Sequence, residues 1–88
     1  MIKIIDATVV SDTAVHLCFS DGSEGDYDLG ALIARDTVMT RPLRDPEFLA
    51  RCFLELGALC WPNGLELSAA SLQRKLAEQG ALMHSNAA

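Results

Sequence analysis

The chain has 88 residues, of which half are hydrophobic and 22% are charged, and this is the composition of one folded domain. Its 12 acidic and 7 basic residues give a net charge of −5. Because the basic residues are scattered and proteins that bind nucleic acid need a basic patch, we expect no direct binding to DNA or RNA.

The three cysteines cannot all pair within one chain, and no CxxC motif occurs. Neither His16 nor His84 completes a zinc-like spacing along the sequence, so we expect no metal and no cofactor. Asp6 interrupts the apolar run that a signal peptide would need, and the uncharged stretches are too short or too polar to span a bilayer. We therefore expect a reduced, cytoplasmic protein that does not enter the membrane.

The first third of the chain predicts a three-stranded antiparallel meander. Residues 2–10 are rich in β-branched residues, and the alternation in residues 14–20 indicates a strand with one apolar face. Asp21 and Gly22 form a DG pair that is typical of a tight hairpin turn with positive φ at both residues. A third strand is predicted at residues 24–28.

The middle of the chain predicts two short helices. Asp28 can cap the sequence LGALIA, because its carboxylate can accept hydrogen bonds from the first turn. In RDPEFLARCF, Asp45 is the predicted N-cap, Pro46 occupies the first helical position and Glu47 lies at the positive end of the helix dipole.

The sequence CWPNGLEL raises the question of whether it is a binding site beside a reactive thiol or a structural corner. Cys60 and Trp61 are adjacent in a predicted strand, so one of them should face the core, and Trp61 is the better anchor. Pro62 should end the strand, and Asn63-Gly64 should turn the chain. The structural interpretation is favoured.

A last helix should begin at its N-cap Ser68 and end at Gly80. The sequence therefore predicts one α+β domain at residues 1–80 and a disordered tail at residues 81–88. About five short strands should form a mostly antiparallel sheet packed with two or three short helices. The predicted core comprises Val15, Leu17, Phe19, Phe48, Trp61 and Leu72.

Two candidate sites are weighed against structural alternatives. The acidic stretch DGSEGDYD has neither the glycine nor the final glutamate where an EF-hand loop requires them, so a solvated hairpin is favoured over a calcium site. His16 and Cys18 point to one side of a strand, but such positions lie about 6.5–7 Å apart with parallel side chains. A structural or interface role is favoured over a cysteine-dependent enzyme, and we expect no catalytic residues.

The motifs FSDGSEGDYDL, RPLRDPEF and WPNGLELSAASL, in this order and spacing, resemble the bacterial domain-of-unknown-function family 2442. The resemblance covers residues 2–76, although the family often has aspartate where this chain has Glu66. It implies a small α+β fold without an established activity. Some relatives carry a helix-turn-helix domain after this one, and relatives are often encoded beside a small toxin-like protein.

These observations favour a non-catalytic module that binds another protein, as the acidic or antitoxin-like member of a two-protein system. A partner-sensing or ligand-sensing subunit of a transcriptional regulator is the alternative from another class. The candidate partner is a basic protein, because an acidic hairpin can steer one. A homodimer is also expected from the weakly charged strand face and the open sheet edges. The candidate contact residues are Asp21, Glu24, Asp26, Asp28, Asn63 and Glu66.

Overall fold

The computed structural model describes residues 1–84 and contains two small antiparallel sheets with three α-helices, an α+β fold. The first sheet has the strand order β1-β2-β3-β7, and the second has the order β4-β5-β6. The strands are β1 Ile4–Val9, β2 Ala14–Phe19, β3 Ser23–Asp28, β4 Phe53–Glu55, β5 Ala58–Cys60, β6 Glu66–Leu67 and β7 Met83–His84. The helices are α1 Gly30–Ala34, α2 Pro46–Leu49 and α3 Ala69–Glu78, with a 3₁₀ helix at Arg41–Arg44.

The predicted meander is confirmed, and its alternating sequence sets which side chains are buried. In β2, Val15, Leu17 and Phe19 are buried, whereas the residues between them are only partly buried. The register pairs Val15 with Tyr27 of β3, which is also buried. This face of the first sheet packs on the core, and the other faces solvent.

The hairpin between β2 and β3 differs from the predicted turn in one respect. Gly22 has a φ of 88°, but Asp21 does not have a positive φ. The Gly22 N–H donates to the carbonyl of Phe19 at 3.1 Å, which is typical of a three-residue hairpin loop closed by a glycine. The Asp21 carboxylate accepts hydrogen bonds from the N–H and hydroxyl of Ser23, and these bonds hold the loop without a second left-handed residue.

Two of the three predicted helix N-caps are present. Asp28 lies one residue before the N-cap position of α1, which is Leu29, but its carboxylate accepts a hydrogen bond from the Gly30 N–H at 2.6 Å. Asp45 accepts from the Glu47 N–H at 3.0 Å, and Ser68 accepts from the Ser71 N–H at 3.2 Å. Within residues 1–84, no helix combines the length and the apolar character that crossing a bilayer requires.

The sequence CWPNGLEL forms a structural corner in the second sheet. Trp61 is 1% exposed, and its indole N–H donates to the carbonyl of Leu49 at 3.0 Å. After Pro62, the turn closes through a hydrogen bond from the Gly64 N–H to the Trp61 carbonyl, with a φ of 93° at Gly64. The chain then returns as β6 beside β5.

Cys60 is 5% exposed, so the expectation that only one of Cys60 and Trp61 would be buried is wrong. Strand β5 is the central strand of its sheet, and all three of its residues are buried. A central strand covered on both faces does not show the alternation of a half-exposed one. The thiol of Cys60 also donates a weak hydrogen bond to the carbonyl of Ala58.

One core joins the two sheets and the helices. Of the predicted core, Val15, Leu17, Phe19, Trp61 and Leu72 are buried. Phe48 is only partly buried and packs against the core, whereas its neighbour Leu49 is fully buried. Leu49 is the buried residue of the four-residue helix α2.

The folded region extends beyond the predicted end at residue 80. The Ala81 N–H donates to the carbonyl of Leu76, and Ala81 and Leu82 pack against the core. Strand β7 then pairs with β3, with His84 opposite Ser23. The predicted tail therefore begins too early, since residues 81–84 complete the first sheet, and residues 85–88 lie outside the described residues.

Candidate functional site: the outer face of the first sheet

The solvent-facing side of the first sheet groups a histidine, a cysteine and several carboxylates, and we call it the outer face. It is formed by His16 and Cys18 of β2, Glu24 and Asp26 of β3, and Asp6 of β1. The register places Cys18 opposite both Asp6 and Glu24, and His16 opposite Asp26. Cross-strand partners share one face of a sheet, so these side chains form a continuous surface.

His16 lies between two carboxylates. Its Nδ1 is 2.6 Å from Oδ1 of Asp26, and its Nε2 is 3.3 Å from Oε1 of Glu24. The His16 side chain is 29% exposed and the Glu24 side chain is 38% exposed, so the contacts are open to solvent on one side. An ionised carboxylate only accepts hydrogen bonds, so the short Asp26 contact orients the ring with a proton on Nδ1.

The thiol of Cys18 lies near both His16 and Glu24. The Sγ atom of Cys18, a ring nitrogen of His16 and a carboxylate oxygen of Glu24 all lie within 4.8 Å of one another. Burial raises the pKa of the Cys18 thiol, and the negative charges of Glu24 and Asp6 raise it further. This environment opposes formation of a free thiolate, which is the nucleophilic form of cysteine.

The net charge of the protein is concentrated in the meander that builds this face. Residues 1–28 contain six of the 12 acidic residues and only one of the 7 Lys and Arg residues. Residues 29–88 contain six acidic and six basic residues, so the whole net charge of −5 belongs to the first segment. Within residues 1–84, Arg41 and Arg44 form salt bridges with Asp36, and no Lys or Arg is paired with an acidic group of the meander.

Two predicted contact residues at the ends of the hairpin are engaged in local structure. Asp21 accepts hydrogen bonds from Ser23 and from the side-chain amide of Gln73 in α3, at 2.8 Å. Asp28 bonds the Gly30 N–H and also accepts from the Thr13 hydroxyl at 3.3 Å. Both side chains contribute charge to the meander, but their oxygens are used within the fold.

The predicted residue Asn63 lies in the turn between β5 and β6, and Glu66 lies in β6, so both belong to the second sheet's hairpin and not to the acidic hairpin of the first sheet. The Asn63 amide donates to the Met39 carbonyl at 3.0 Å, and its oxygen accepts from the Leu65 N–H. Asn63 therefore fixes the corner. Glu66 is exposed in β6 and lines a shallow depression with Phe53 and Pro62.

The other two thiols are shielded. Burial raises the pKa of Cys52, and burial followed by the charges of Glu66 and Glu55 raises the pKa of Cys60. All three cysteines are free. Sequence reasoning missed the grouping of Cys18 with Glu24, and the hairpin register, which places these residues opposite each other, was the signal that could have found it.

Comparison with known proteins identifies a family. The family described as "Protein of unknown function (DUF2442)" matches residues 4–78, which includes every strand except β7 and all three helices. No curated protein and no solved structure matches the chain.

Proposed function

The chain belongs to the DUF2442 family of proteins of unknown function, and from its own surface we propose that it is a non-catalytic module that binds a basic protein through the outer face of its first sheet. In this proposal it is the acidic, antitoxin-like member of a two-protein system in the cytoplasm. Its three free cysteines suit a reducing compartment.

The observation that supports this proposal is the segregation of charge. The entire net charge of −5 belongs to residues 1–28, and the outer face presents Asp6, Glu24 and Asp26 without a Lys or Arg partner among residues 1–84. Unbalanced charge of one sign raises the rate of encounter with an oppositely charged partner and weakens with salt. A basic protein surface is the natural complement.

The environment of Cys18 supports a role without catalysis. A catalytic cysteine is activated by nearby positive charge or a helix N-terminus, which lower its pKa. Cys18 instead lies on a strand among carboxylates, and its pKa is raised by burial and by Glu24 and Asp6. Both ring nitrogens of His16 contact carboxylates, Nδ1 that of Asp26 and Nε2 that of Glu24. Neither nitrogen is therefore reserved as a base for the Cys18 thiol.

Self-association is a second element of the proposal. Strand β1 is an edge of the first sheet, and beyond Ile4, whose N–H is bonded to the Gly57 carbonyl, it exposes apolar side chains at Ile5 and Val9, followed by Val10. Exposed edge strands are natural sites for pairing between chains. A homodimer through β1 would leave the outer face free for the basic partner.

The test is co-purification from the native cell extract with this protein as bait, at low and at moderate salt. We expect a basic protein that is retained at low salt, released at moderate salt, and lost from the Glu24→Gln/Asp26→Asn double variant. A matched Glu47→Gln/Glu78→Gln variant removes the same charge elsewhere and should retain the partner. Equal retention by both variants, or recovery of a small molecule without a partner protein, would overturn the proposal.

A further inference from the structure

We infer that His16, Cys18 and Glu24 form a binding site for a zinc-like divalent cation on the outer face, with Asp26 as the residue that positions the histidine. The three potential ligand atoms lie within 4.8 Å of one another. They come from two neighbouring strands, so spacing along the sequence does not reveal them, and the expectation of no metal rested on that spacing. The inference does not depend on the proposed protein partner.

The orientation of His16 supports the site. Asp26 accepts the Nδ1 proton at 2.6 Å, so the lone pair of a neutral ring is at Nε2. This nitrogen faces Oε1 of Glu24 at 3.3 Å. Two acceptors in contact need positive charge between them, either a proton or a metal ion. Histidines that bind metals commonly donate their other ring N–H to a carboxylate in this way.

The distances between the potential ligand atoms match a tetrahedral metal centre once the Cys18 side chain rotates. Zinc bonds of about 2.0–2.1 Å to nitrogen and about 2.0–2.2 Å to oxygen imply a ligand–ligand separation of about 3.3–3.5 Å at the tetrahedral angle. The contact between Nε2 of His16 and Oε1 of Glu24 is 3.3 Å. Rotation of the Cys18 side chain can bring Sγ closer, since Cys18 is directly opposite Glu24 in the register.

The ligand types select the metal class. A thiolate, an imidazole and a carboxylate together suit zinc, whereas calcium and magnesium prefer sites made only of oxygen. When the ion binds, the sulfur–metal bond forms as the thiol proton passes to solvent. The thiolate and the carboxylate then balance the charge of a divalent cation. The three protein ligands leave the fourth coordination position of a tetrahedral ion open.

The site is accessible from one side. A groove of about 260 Å³ beside it is lined by His16, Gly25, Asp26, Ala81 and Met83. This groove reaches the His16 ring and its partner Asp26, and the side chains of His16 and Glu24 are 29% and 38% exposed, so an ion can approach these two ligands from solvent without unfolding the sheet.

The experiment uses reduced, metal-free protein titrated with Co²⁺, which is a spectroscopic substitute for zinc. We expect one equivalent to bind with a thiolate-to-cobalt charge-transfer band and the visible bands of a tetrahedral site, and Zn²⁺ to displace it. Loss of an outer-shell partner weakens metal binding about 10–100-fold, so Asp26→Asn should do so, and His16→Gln and Glu24→Gln should weaken it at least as much. Cys18→Ser should abolish the charge-transfer band.

Matched controls are available for each ligand type. Cys52→Ser, His84→Gln and Glu78→Gln change the same residue types outside the cluster and should bind Co²⁺ like the unaltered protein. If Cys18→Ser fails to fold, alkylation of the unaltered protein tests the inference instead. Zn²⁺ should protect Cys18 from alkylation and should not protect Cys52, and peptide mass spectrometry identifies the modified cysteine. No charge-transfer band in folded protein, a band that is lost with Cys52 instead, or no protection of Cys18 would overturn the inference.

Discussion

The first sheet leaves one face in solvent, whereas the second sheet has a central strand, β5, that is buried along its whole length. In β2 each buried residue alternates with a polar or partly buried one, so packing and surface chemistry are carried by different residues. In the second sheet, Trp61 and Cys60 are adjacent and both buried. The first sheet can therefore vary its outer face without loss of the core, but changes in the corner of the second sheet affect the fold.

This difference answers the question raised by CWPNGLEL. Trp61 is bonded to Leu49, Asn63 is bonded to Met39, and the turn closes on itself. These contacts connect the second sheet to the segment that contains α2. These residues are used within the fold, and the binding surface that we propose is therefore the outer face of the first sheet.

The largest expected effect is on stability, from Trp61→Ala. Removal of a buried aromatic side chain costs about 3–5 kcal/mol, and here it also removes the indole N–H donor from the Leu49 carbonyl, which keeps only the longer bond from the Cys52 N–H at 3.3 Å. Urea unfolding followed by circular dichroism measures the decrease in the free energy of unfolding. Trp61→Phe keeps an aromatic ring but removes the indole N–H and should lose less. An unchanged midpoint for Trp61→Ala would contradict the role of this residue as the anchor of the corner.

A smaller loss is expected where the C-terminal segment crosses the first sheet. A Cβ atom on Gly25 would lie 2.6 Å from the carbonyl oxygen of Ala81, so Gly25→Ala must displace the chain leading to β7. Overpacking of this kind costs about 1–3 kcal/mol. Hydrogen exchange should show faster exchange at residues 81–84.

Gly80→Ala is the control for this steric effect. Gly80 has a φ of 69°, but no atom lies within 4 Å of its added Cβ, so the variant tests backbone strain alone. If Gly25→Ala leaves the exchange of residues 81–84 unchanged while Gly80→Ala accelerates it, the close approach at Gly25 does not hold β7 in place.

The outer face should contribute little to stability. The contacts of His16 with Glu24 and Asp26 are partly exposed, and exposed ion pairs contribute about 0.2–1 kcal/mol. In the presence of a chelator, Glu24→Gln/Asp26→Asn should therefore unfold within about 1 kcal/mol of the unaltered protein. A much larger loss in thermal or urea unfolding would show that this face is structural, like the corner.

The smallest effect is pH-dependent and involves Asp21. Hydrogen bonds from the Ser23 hydroxyl and the Ser23 N–H lower the pKa of Asp21 below its ordinary value of 3.8. A lowered pKa stabilises the fold above the unfolded-state value, and this stabilisation is lost as the pH falls through the folded-state value. The difference in melting temperature between the unaltered protein and Asp21→Asn should narrow as the pH drops below about 4. A constant difference would mean that the Asp21 charge is not involved.

Local patterns in the sequence predict much of the first sheet and the helix ends. The alternation in β2, the caps at Asp45 and Ser68, and the buried Trp61 follow from backbone geometry and hydrophobic burial. The turn at Asp21 is predicted in position but not in conformation, because the hydrogen bonds of its side chain select a different loop.

Features that depend on contacts between distant segments are not predicted. The division into two sheets, the burial of Cys60 and the strand β7 arise when separate parts of the chain pack together. The approach of Cys18 to Glu24 is a local contact within one hairpin, and it was missed because the register across the hairpin was not worked out. The periodicity of one strand shows which residues share a face, but it does not show which residue of the neighbouring strand lies opposite each of them.

The central claim is that the outer face of the first sheet, and not the corner of the second sheet, is the binding surface. The most direct measurement is the salt-dependent affinity of the co-purified basic protein for two double variants with equal charge change. Glu24→Gln/Asp26→Asn alters the outer face, and Glu55→Gln/Glu66→Gln alters the second sheet. We predict that the first variant loses low-salt binding while the second keeps it. Loss of binding in the second variant alone would contradict the account and place the binding surface at the corner.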